Sequence, residues 1–236
     1  VKAMKADLFV ENGLELETAW STTVLGAARN KRLMPGSPGH LDASAAVEPL
    51  EVPDEVSRAH GDVHPGGNPH YPQAPVRAGQ VAALYAKKLS ELDPANAAAY
   101  AANLAAFQKR LDAKLAEWTR RLAPFKGTKV VTYHRDWVYF SERFGLVRSG
   151  ELEPKPGIPP TAQHTAALIA KMKADGVRLV LTVPWYEERT PRAVAEAAGA
   201  AVVPVALLPG GHPGTDGYFE WMDYNVEAIA KALEAR

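Results

Sequence analysis

The sequence predicts an α/β protein, and two patterns carry this prediction. From about residue 124 to the end, short apolar runs alternate with helical segments, which is the order that builds parallel βαβ units. Before that stretch, apolar residues recur at spacings of three and four, which predicts one long amphipathic helix over 94–123. Asp93 and Pro94 mark its start as cap and first helical residue, and Pro124 marks its end.

The composition is that of a folded protein, and it argues against some classes of function. Of the 236 residues, 47% are hydrophobic and 23% are charged, and 27 basic residues balance 27 acidic ones. A neutral chain is a poor match for nucleic acid, because binding to phosphates depends on excess basic charge. No apolar run reaches the roughly 18 residues of a membrane span. The absence of cysteine removes disulfides and thiolate metal ligands.

The first 93 residues predict a less regular region. An apolar run at 6–10 indicates a buried strand that ends in a turn at Gly13, and helical periodicity follows over 14–28 and 76–92. The segment between these helices is rich in turn-forming residues and is long enough to be a functional loop. Because a fold rarely opens in the middle of an α/β unit, we expect sequence before Val1, including a signal peptide.

The C-terminal half is predicted to alternate strands with helices. The strands are predicted at 129–133, 146–152, 177–183 and 201–207, and the helices at 137–144, 161–174, 191–198 and 217–235. In an open parallel sheet, ligands lie beyond the carboxyl ends of the strands. The ends of three of these strands carry His134, Glu153 and the pair Pro184-Trp185. We therefore expect any binding site to be built there.

Three histidines lie in one loop, at about 54–75, that is rich in glycine and proline. They are His60, His64 and His70. Neutral imidazole is a common ligand of zinc and related ions, so this loop is a candidate metal-binding element. The alternative is a solvated loop without function, since no two of these histidines have the tight spacing of a helical metal site.

Three more candidates lie in the C-terminal half. His134 follows a strand and has aromatic neighbours that would shield a metal, although the region could also be an ordinary helix start. Glu153 follows the next strand and could bind a metal or hold a ligand in place, or pair with a lysine at the surface. Asp216 could also bind a metal, but an acid in this position before a helix is more often a cap.

Four segments, taken in chain order, form a pattern with a recognisable counterpart. They are ADLFVENGLELE at 6–17, GNPHY at 67–71, TYHRDWVYFSERFGL at 132–146 and the last helix from Tyr218. These segments resemble ADLVVxNGxxLE, DPHxW, xxHxAFxYFxxxYGL and YxxxMxxNxxxLxxAL, the motifs of the substrate-binding proteins of zinc- and manganese-type metal ABC transporters. The resemblance runs from end to end of the chain, and four ordered motifs are more specific than any one of them.

The resemblance implies two α/β lobes, 1–93 and 124–236, joined by the long helix 94–123, with a metal site in the cleft between the lobes. It makes His70 and His134 metal ligands, and histidine at the second position favours zinc over manganese. The implied protein is not an enzyme. It is periplasmic or at the cell surface, captures the ion and delivers it to the membrane permease of an ABC transporter. We expect a monomer whose affinity depends on pH, because imidazole must be neutral to bind.

Three departures from the family pattern affect the expected site. The chain starts too late to contain the family's first ligand, which lies in a PHxxxP motif, and the Trp of DPHxW is absent after Tyr71. The family's late Asp, in V-x-L-D-P-L, falls near Ala206. Glu153, Asp216 or water would then fill that position. Of the other histidines, His60 and His64 are candidate helpers, whereas His40, His164 and His212 are expected to have no metal role.

Two other functions fit the same residues. A zinc hydrolase would keep one coordination position open for water and use Glu153 or Asp216 as general base. It requires a carboxylate within hydrogen-bonding reach of that water in an accessible pocket. A surface interaction module of the adhesin type would carry the histidine loop incidentally and would retain no metal. The sequence has no G-x-S-x-G nucleophile motif and no phosphate-binding glycine loop.

Overall fold

The computed structural model describes residues 1–55, 64–155 and 157–235, so His60 lies outside the described residues. The chain divides into two compact units. The described part of the first unit comprises residues 1–55 and 64–111, and that of the second comprises residues 112–155 and 157–235. The division falls within the helix Ala97–Leu122, which begins in the first unit and ends in the second.

The first unit contains a two-stranded parallel sheet. Strand β1, Phe9–Glu11, pairs with strand β2, His40–Asp42, and Phe9 lies opposite His40. Helix α1 spans Ser21–Ala28 and helix α2 spans Pro75–Leu92. Short 3-10 turns cover Ala3–Lys5, Lys31–Leu33, Ala43–Ala46, Tyr71–Gln73 and Pro94–Asn96. The predicted strand over 6–10 is confirmed in type, although it is shifted toward Glu11.

The helix predicted over 14–28 forms only in its second half. Leu14 and Glu15 have positive φ angles of 52° and 65°, which an α-helix does not allow. The carboxylate of Glu17 accepts hydrogen bonds from the backbone N–H groups of Asn12 and Gly13, at 2.9 and 3.1 Å. A side chain that bonds the backbone in this way offers an alternative to helical hydrogen bonds. The helix therefore starts only at Ser21.

The long helix predicted over 94–123 is confirmed. A 3-10 turn at Pro94–Asn96 leads into helix α3, Ala97–Leu122. Asp93 differs from the expected cap, because its carboxylate accepts hydrogen bonds from the side chains of Asn96 and Tyr100, at 2.7 and 2.8 Å. These two hydrogen bonds hold the pKa of Asp93 below its usual value.

The second unit is built on a four-stranded parallel sheet, as the alternating pattern predicts. Its strands are β3, Lys129–Thr132; β4, Val147–Glu151; β5, Leu179–Thr182; and β6, Ala201–Pro204. They lie in the order β4-β3-β5-β6. After β3 the chain forms β4 on one side of β3. It then crosses to the other side of β3 to form β5. Such a reversal in strand order opens a crevice at the carboxyl ends of the strands.

Four helices complete the second unit, and the sequence signals at their ends match the prediction. They are α4, Val138–Phe144; α5, Ala162–Asp175; α6, Arg189–Ala198; and α7, Tyr218–Glu234. Glycine in the left-handed conformation follows α4, α5 and α6, at Gly145, Gly176 and Gly199. Glycine adopts positive φ without steric cost, which makes it the usual residue after a helix end.

Helix α7 packs its predicted apolar face into the core of the second unit. Its buried side chains include Trp221, Met222, Val226, Ile229 and Leu233. The end of α3 is fixed to the polar side of this helix, because Trp118 Nε1 donates a 2.7 Å hydrogen bond to Asp223. None of the described helices combines the length and the apolar character that crossing a membrane would need.

Candidate metal centre

The parallel pairing of β3 and β4 brings His134 and Glu153 together. The pairing continues past the ends of both strands, where Glu153 N donates to the carbonyl oxygen of Tyr133 at 3.0 Å. Thr132 Oγ1 also donates to the carbonyl oxygen of His134 at 2.6 Å, which fixes the turn after β3. As a result, Nδ1 of His134 lies 2.7 Å from Oε2 of Glu153. The two side chains are 21% and 14% exposed, so they are largely shielded from water.

This contact determines which nitrogen of His134 suits a metal. A carboxylate oxygen accepts the hydrogen bond in this contact. Nδ1 of His134 is therefore the protonated ring nitrogen, and its N–H donates a hydrogen bond to Glu153. In the neutral ring, Nε2 then holds the lone pair that would be used to coordinate a metal. Metal-binding histidines are commonly oriented by a carboxylate in this way, which also raises the basicity of the coordinating nitrogen.

In the first unit, His70 has a similar arrangement with an amide in place of the carboxylate. Oδ1 of Asn68 accepts a hydrogen bond from the backbone N–H of His70 at 3.0 Å. The same oxygen lies 3.0 Å from Nδ1 of His70, so Nδ1 is the protonated nitrogen here as well. The sequence analysis did not identify Asn68, although its place two residues before the histidine is the signal that could have done so.

The segment that carries His70 is a fixed part of the first unit. Asn12, which follows β1, donates through Nδ2 to the carbonyl oxygen of Pro69 at 2.9 Å. Tyr71 donates through its hydroxyl to the carbonyl oxygen of Asn12 at 2.5 Å and is 1% exposed. The described end of the predicted histidine loop is therefore packed against the strand that precedes it in the chain.

Asp136 is a buried acid that the sequence analysis missed. It lies two residues beyond His134 and is 1% exposed. Burial raises the pKa of Asp136 to about 8, and the nearby charge of Glu153 adds to the increase. Among the described residues, none donates a hydrogen bond to its Oδ1. A charged residue directly before a run of large apolar side chains was the only signal in the sequence.

Two stacked tyrosines lie at the adjoining strand ends of β3 and β5. The rings of Tyr133 and Tyr186 are 3.9 Å apart between centroids and nearly parallel, at 10°. Burial raises the pKa of the Tyr186 hydroxyl, and the charges of Asp136 and Glu153 raise it further. Both acids are therefore within electrostatic reach of this tyrosine. Trp185, predicted at the same strand end, is 51% exposed.

The other predicted carboxylate is placed differently. Asp216 is exposed in the segment between β6 and α7. It does not cap α7, because the N-cap position before Tyr218 is occupied by Gly217. Within residues 1–55, 64–155 and 157–235, no three His, Asp or Glu side chains are arranged so that they could hold one metal ion. The structure thus pairs His134 with Glu153 and does not add Asp216 to them.

Ala206, where the resemblance places a carboxylate, is held by its backbone. Its N–H donates to Oδ1 of Asn225 at 2.8 Å, and its carbonyl oxygen accepts from Nδ2 of Asn225 and Nε1 of Trp221, at 2.8 and 2.7 Å. All three residues are buried. The backbone at this position is fully hydrogen-bonded, and its side chain is only a methyl group.

The three histidines expected to have no metal role make contacts within their own unit. His40 lies 3.3 Å from a carboxylate oxygen of Glu11, and Nε2 of His164 lies 2.9 Å from the carbonyl oxygen of Glu151. His212 stacks on Tyr224 with 4.1 Å between ring centroids. These contacts give each histidine a structural environment that does not depend on a metal.

The α/β fold and the two imidazoles held through Nδ1 define a candidate metal-binding protein. The chain matches the family described as zinc-uptake complex component A, periplasmic, over residues 1–232. It belongs to this family.

Individual relatives and solved structures agree with the family match. The high-affinity zinc uptake system protein ZnuA of Brucella abortus (strain 2308) is 32% identical over 120 residues, which are 51% of this chain and 36% of that protein. The manganese ABC transporter substrate-binding lipoprotein PsaA of Streptococcus pneumoniae is 26% identical over 98% of this chain and 74% of that protein. A crystal structure of ZnuA superposes with a TM-score of 0.77 at 27% identity, covering 99% of this chain and 80% of that chain.

The match thus spans only about a third of the length of the Brucella protein, whereas it spans most of the pneumococcal protein and of the ZnuA crystal structure. The expected α/β fold is confirmed, since the solved structure is matched over nearly the whole of this chain.

Proposed function

We propose that this protein captures a zinc ion as its transport substrate and delivers it to the permease of an ABC transporter, with His70 and His134 as ligands. The observation that supports this most directly is the pair of oxygen acceptors at Nδ1, Asn68 for His70 and Glu153 for His134. Each acceptor fixes the ring and the tautomer, so that Nε2 is the coordinating nitrogen before the ion arrives.

Zinc is favoured over manganese by the chemistry of the ligands. Imidazole nitrogen suits zinc, whereas carboxylate, carbonyl and water oxygens suit manganese. Both metals occur in the names of relatives, since the Brucella protein is named for zinc and the pneumococcal protein for manganese. We assign zinc to this chain because its two leading candidates are both histidines. Glu153 and Asp216 stay candidates for the remaining ligand positions.

Binding is favoured over catalysis, and an extracytoplasmic location over a cytoplasmic one. The hydrolase alternative uses Glu153 or Asp216 as general base. Glu153 already accepts a hydrogen bond from Nδ1 of His134, and Asp216 is exposed between β6 and α7. The relatives support transport, because the pneumococcal protein is named as a substrate-binding lipoprotein of an ABC transporter. The description of the family also places its members in the periplasm. We therefore propose a periplasmic or surface-exposed protein without enzymatic turnover.

The assignment is tested by zinc binding to the full chain. After metal removal with a chelator, wild type is expected to bind one zinc ion in competition with a chelating dye. His70→Ala and His134→Ala are each expected to lower the affinity by more than about a hundredfold, because loss of a ligand costs more than loss of its support. His212→Ala is the matched control, since this histidine stacks on Tyr224. Circular dichroism melts check that each variant folds.

A variant that carries both His70→Ala and His134→Ala and still binds zinc as tightly as wild type would show that the assignment is wrong. A parallel titration with manganese is expected to give weaker binding, and tighter manganese binding would reverse the choice of metal. Delivery is tested by growth of a bacterium that lacks its own zinc-binding component, in chelator-treated medium. Wild type fused to that component's leader should restore growth and His134→Ala should not.

A further inference from the structure

The turn after β5 places an aromatic ring against the residue that precedes His134. The backbone N–H of Tyr186 donates to the carbonyl oxygen of Val183 at 3.1 Å, which closes this turn. The ring of Tyr186 stacks on that of Tyr133, with 3.9 Å between the centroids and 10° between the planes. At this separation the faces of the two rings are in van der Waals contact. The end of β5 is therefore joined to the end of β3 by a side-chain contact.

Tyr133 is tied through its backbone to both members of the His134–Glu153 pair. Its N–H donates to the carbonyl oxygen of Leu181 on β5 at 3.2 Å, and its carbonyl oxygen accepts from Glu153 N at 3.0 Å. His134 is the next residue in the chain, and its Nδ1 lies 2.7 Å from Oε2 of Glu153. A displacement of Tyr133 would consequently be passed on to the histidine and to the carboxylate that orients it.

The Tyr133 ring belongs to the core of the second unit, and Tyr186 packs on that core as a partly buried residue. Tyr133 is 8% exposed and packs in a cluster of buried apolar side chains that includes Val131, Leu152 and Met172. Tyr186 packs against the same cluster. Without the ring of Tyr186, the Tyr133 ring would lose its contact over one face and would be held less firmly in its rotamer.

We propose that Tyr186 is a positioning residue of the zinc site: by stacking on Tyr133 it holds His134 where it can bind the ion. The inference rests on the proposed zinc-binding function. Glu153 fixes the ring and tautomer of His134, whereas Tyr186 fixes the backbone from which that ring extends. Both supports matter because a binding site needs its side chains within about 0.5 Å of the productive geometry.

The test compares the zinc affinity of full-chain variants in competition with a chelating dye. Tyr186→Ala is expected to lower the affinity by about three- to tenfold, less than the loss of a group that contacts the ligand directly. Tyr186→Phe keeps the stacked ring and is expected to bind zinc as wild type does. Tyr224→Ala is the matched control, because this tyrosine of the same unit also stacks on a neighbouring ring, 4.1 Å from that of His212.

A double-mutant cycle separates positioning from a general effect on the fold. If Tyr186 acts through His134, adding Tyr186→Ala to His134→Ala lowers the affinity no further than His134→Ala alone. A loss of equal size in both backgrounds, or an equal loss in Tyr224→Ala, would show that Tyr186 contributes packing alone and would overturn the inference. Wild-type affinity in Tyr186→Ala would overturn it as well.

The same measurements distinguish failure of this inference from failure of the proposed function. Reduced affinity in His134→Ala with wild-type affinity in Tyr186→Ala would overturn the positioning role and leave zinc capture in place. A wild-type chain that binds no zinc would overturn both. If circular dichroism shows that Tyr186→Ala does not fold, Tyr186→Leu replaces it in every comparison, because leucine keeps apolar bulk and removes the stacked ring.

Discussion

Glu153 could either position His134 or bind the zinc ion itself, and the variant Glu153→Gln distinguishes these two roles. If it positions His134 through Nδ1, Glu153→Gln keeps an oxygen acceptor and loses little affinity, whereas Glu153→Ala loses about 10–100-fold. If it binds the ion itself, both variants lose affinity to a similar extent, because an amide oxygen is a much poorer zinc ligand. We expect the first result, measured by competition with a zinc chelator.

The control for these variants is Glu188→Ala. Glu188 is an exposed acid of the same unit that pairs with Arg192 on the surface, so its loss should leave zinc affinity unchanged. Equal losses in Glu153→Gln and Glu153→Ala would assign Glu153 as a ligand and contradict the positioning role.

At the scale of single residues, the sequence predicts strand ends better than it predicts burial. His134 and Glu153 could be placed together because each follows a strand, and the carboxyl ends of parallel strands meet at one edge. Asn68 and Asp136 could not be found in this way. Whether a polar side chain is exposed or enclosed depends on contacts far along the chain, which a local pattern does not contain.

At the scale of secondary-structure elements, Asp175 links β3, β4 and α5. Its carboxylate accepts hydrogen bonds from Lys129, Ser149 and Lys171. These contacts, with Lys171 the largest, lower the pKa of Asp175 below its usual value. A lowered pKa in the folded state means that the ionised group stabilises the fold above its unfolded pKa of about 3.9. The contribution is lost as the pH falls from that value through the folded pKa.

Asp175→Asn is therefore expected to lower the melting temperature by a few degrees at pH 7 and by less at pH 3. Thermal melts of wild type and variant at both pH values measure the two differences. Asp112→Asn on the exposed side of α3 should change neither melt. A difference between wild type and Asp175→Asn that stays constant from pH 7 to pH 3 would contradict the electrostatic explanation.

The elements themselves were predictable where a local signal ends them. Gly145, Gly176 and Gly199 stop three helices because a left-handed residue is needed there. The prediction of a helix over 14–28 was wrong in its first half, because the carboxylate of Glu17 accepts hydrogen bonds from the backbone N–H groups of Asn12 and Gly13. The strand order β4-β3-β5-β6 could not be predicted, because it depends on which strands pair, and no local pattern records that.

At the scale of the whole molecule, membership of the zinc-uptake family agrees with a chain that has no charge excess and no thiolates. A neutral, cysteine-free chain that holds zinc must use imidazole and carboxylate, and each imidazole proposed here is backed by an oxygen of its own unit. The fold itself therefore orients both histidine rings, which would lower the entropic cost of binding an ion.

Zinc binding of this kind has to stabilise the folded chain. A ligand that binds only the folded state at about 100 times its Kd adds about 2.7 kcal/mol. For a protein of this size, each 1 kcal/mol raises the melting temperature by about 2–4 °C, so zinc should raise it by about 5–10 °C. The increase should depend on zinc concentration and disappear after a chelator is added. Calorimetry of wild type, His134→Ala and His212→Ala measures it. A full increase in His134→Ala would mean that zinc binds through other residues, whereas loss in that variant alone supports capture at His134.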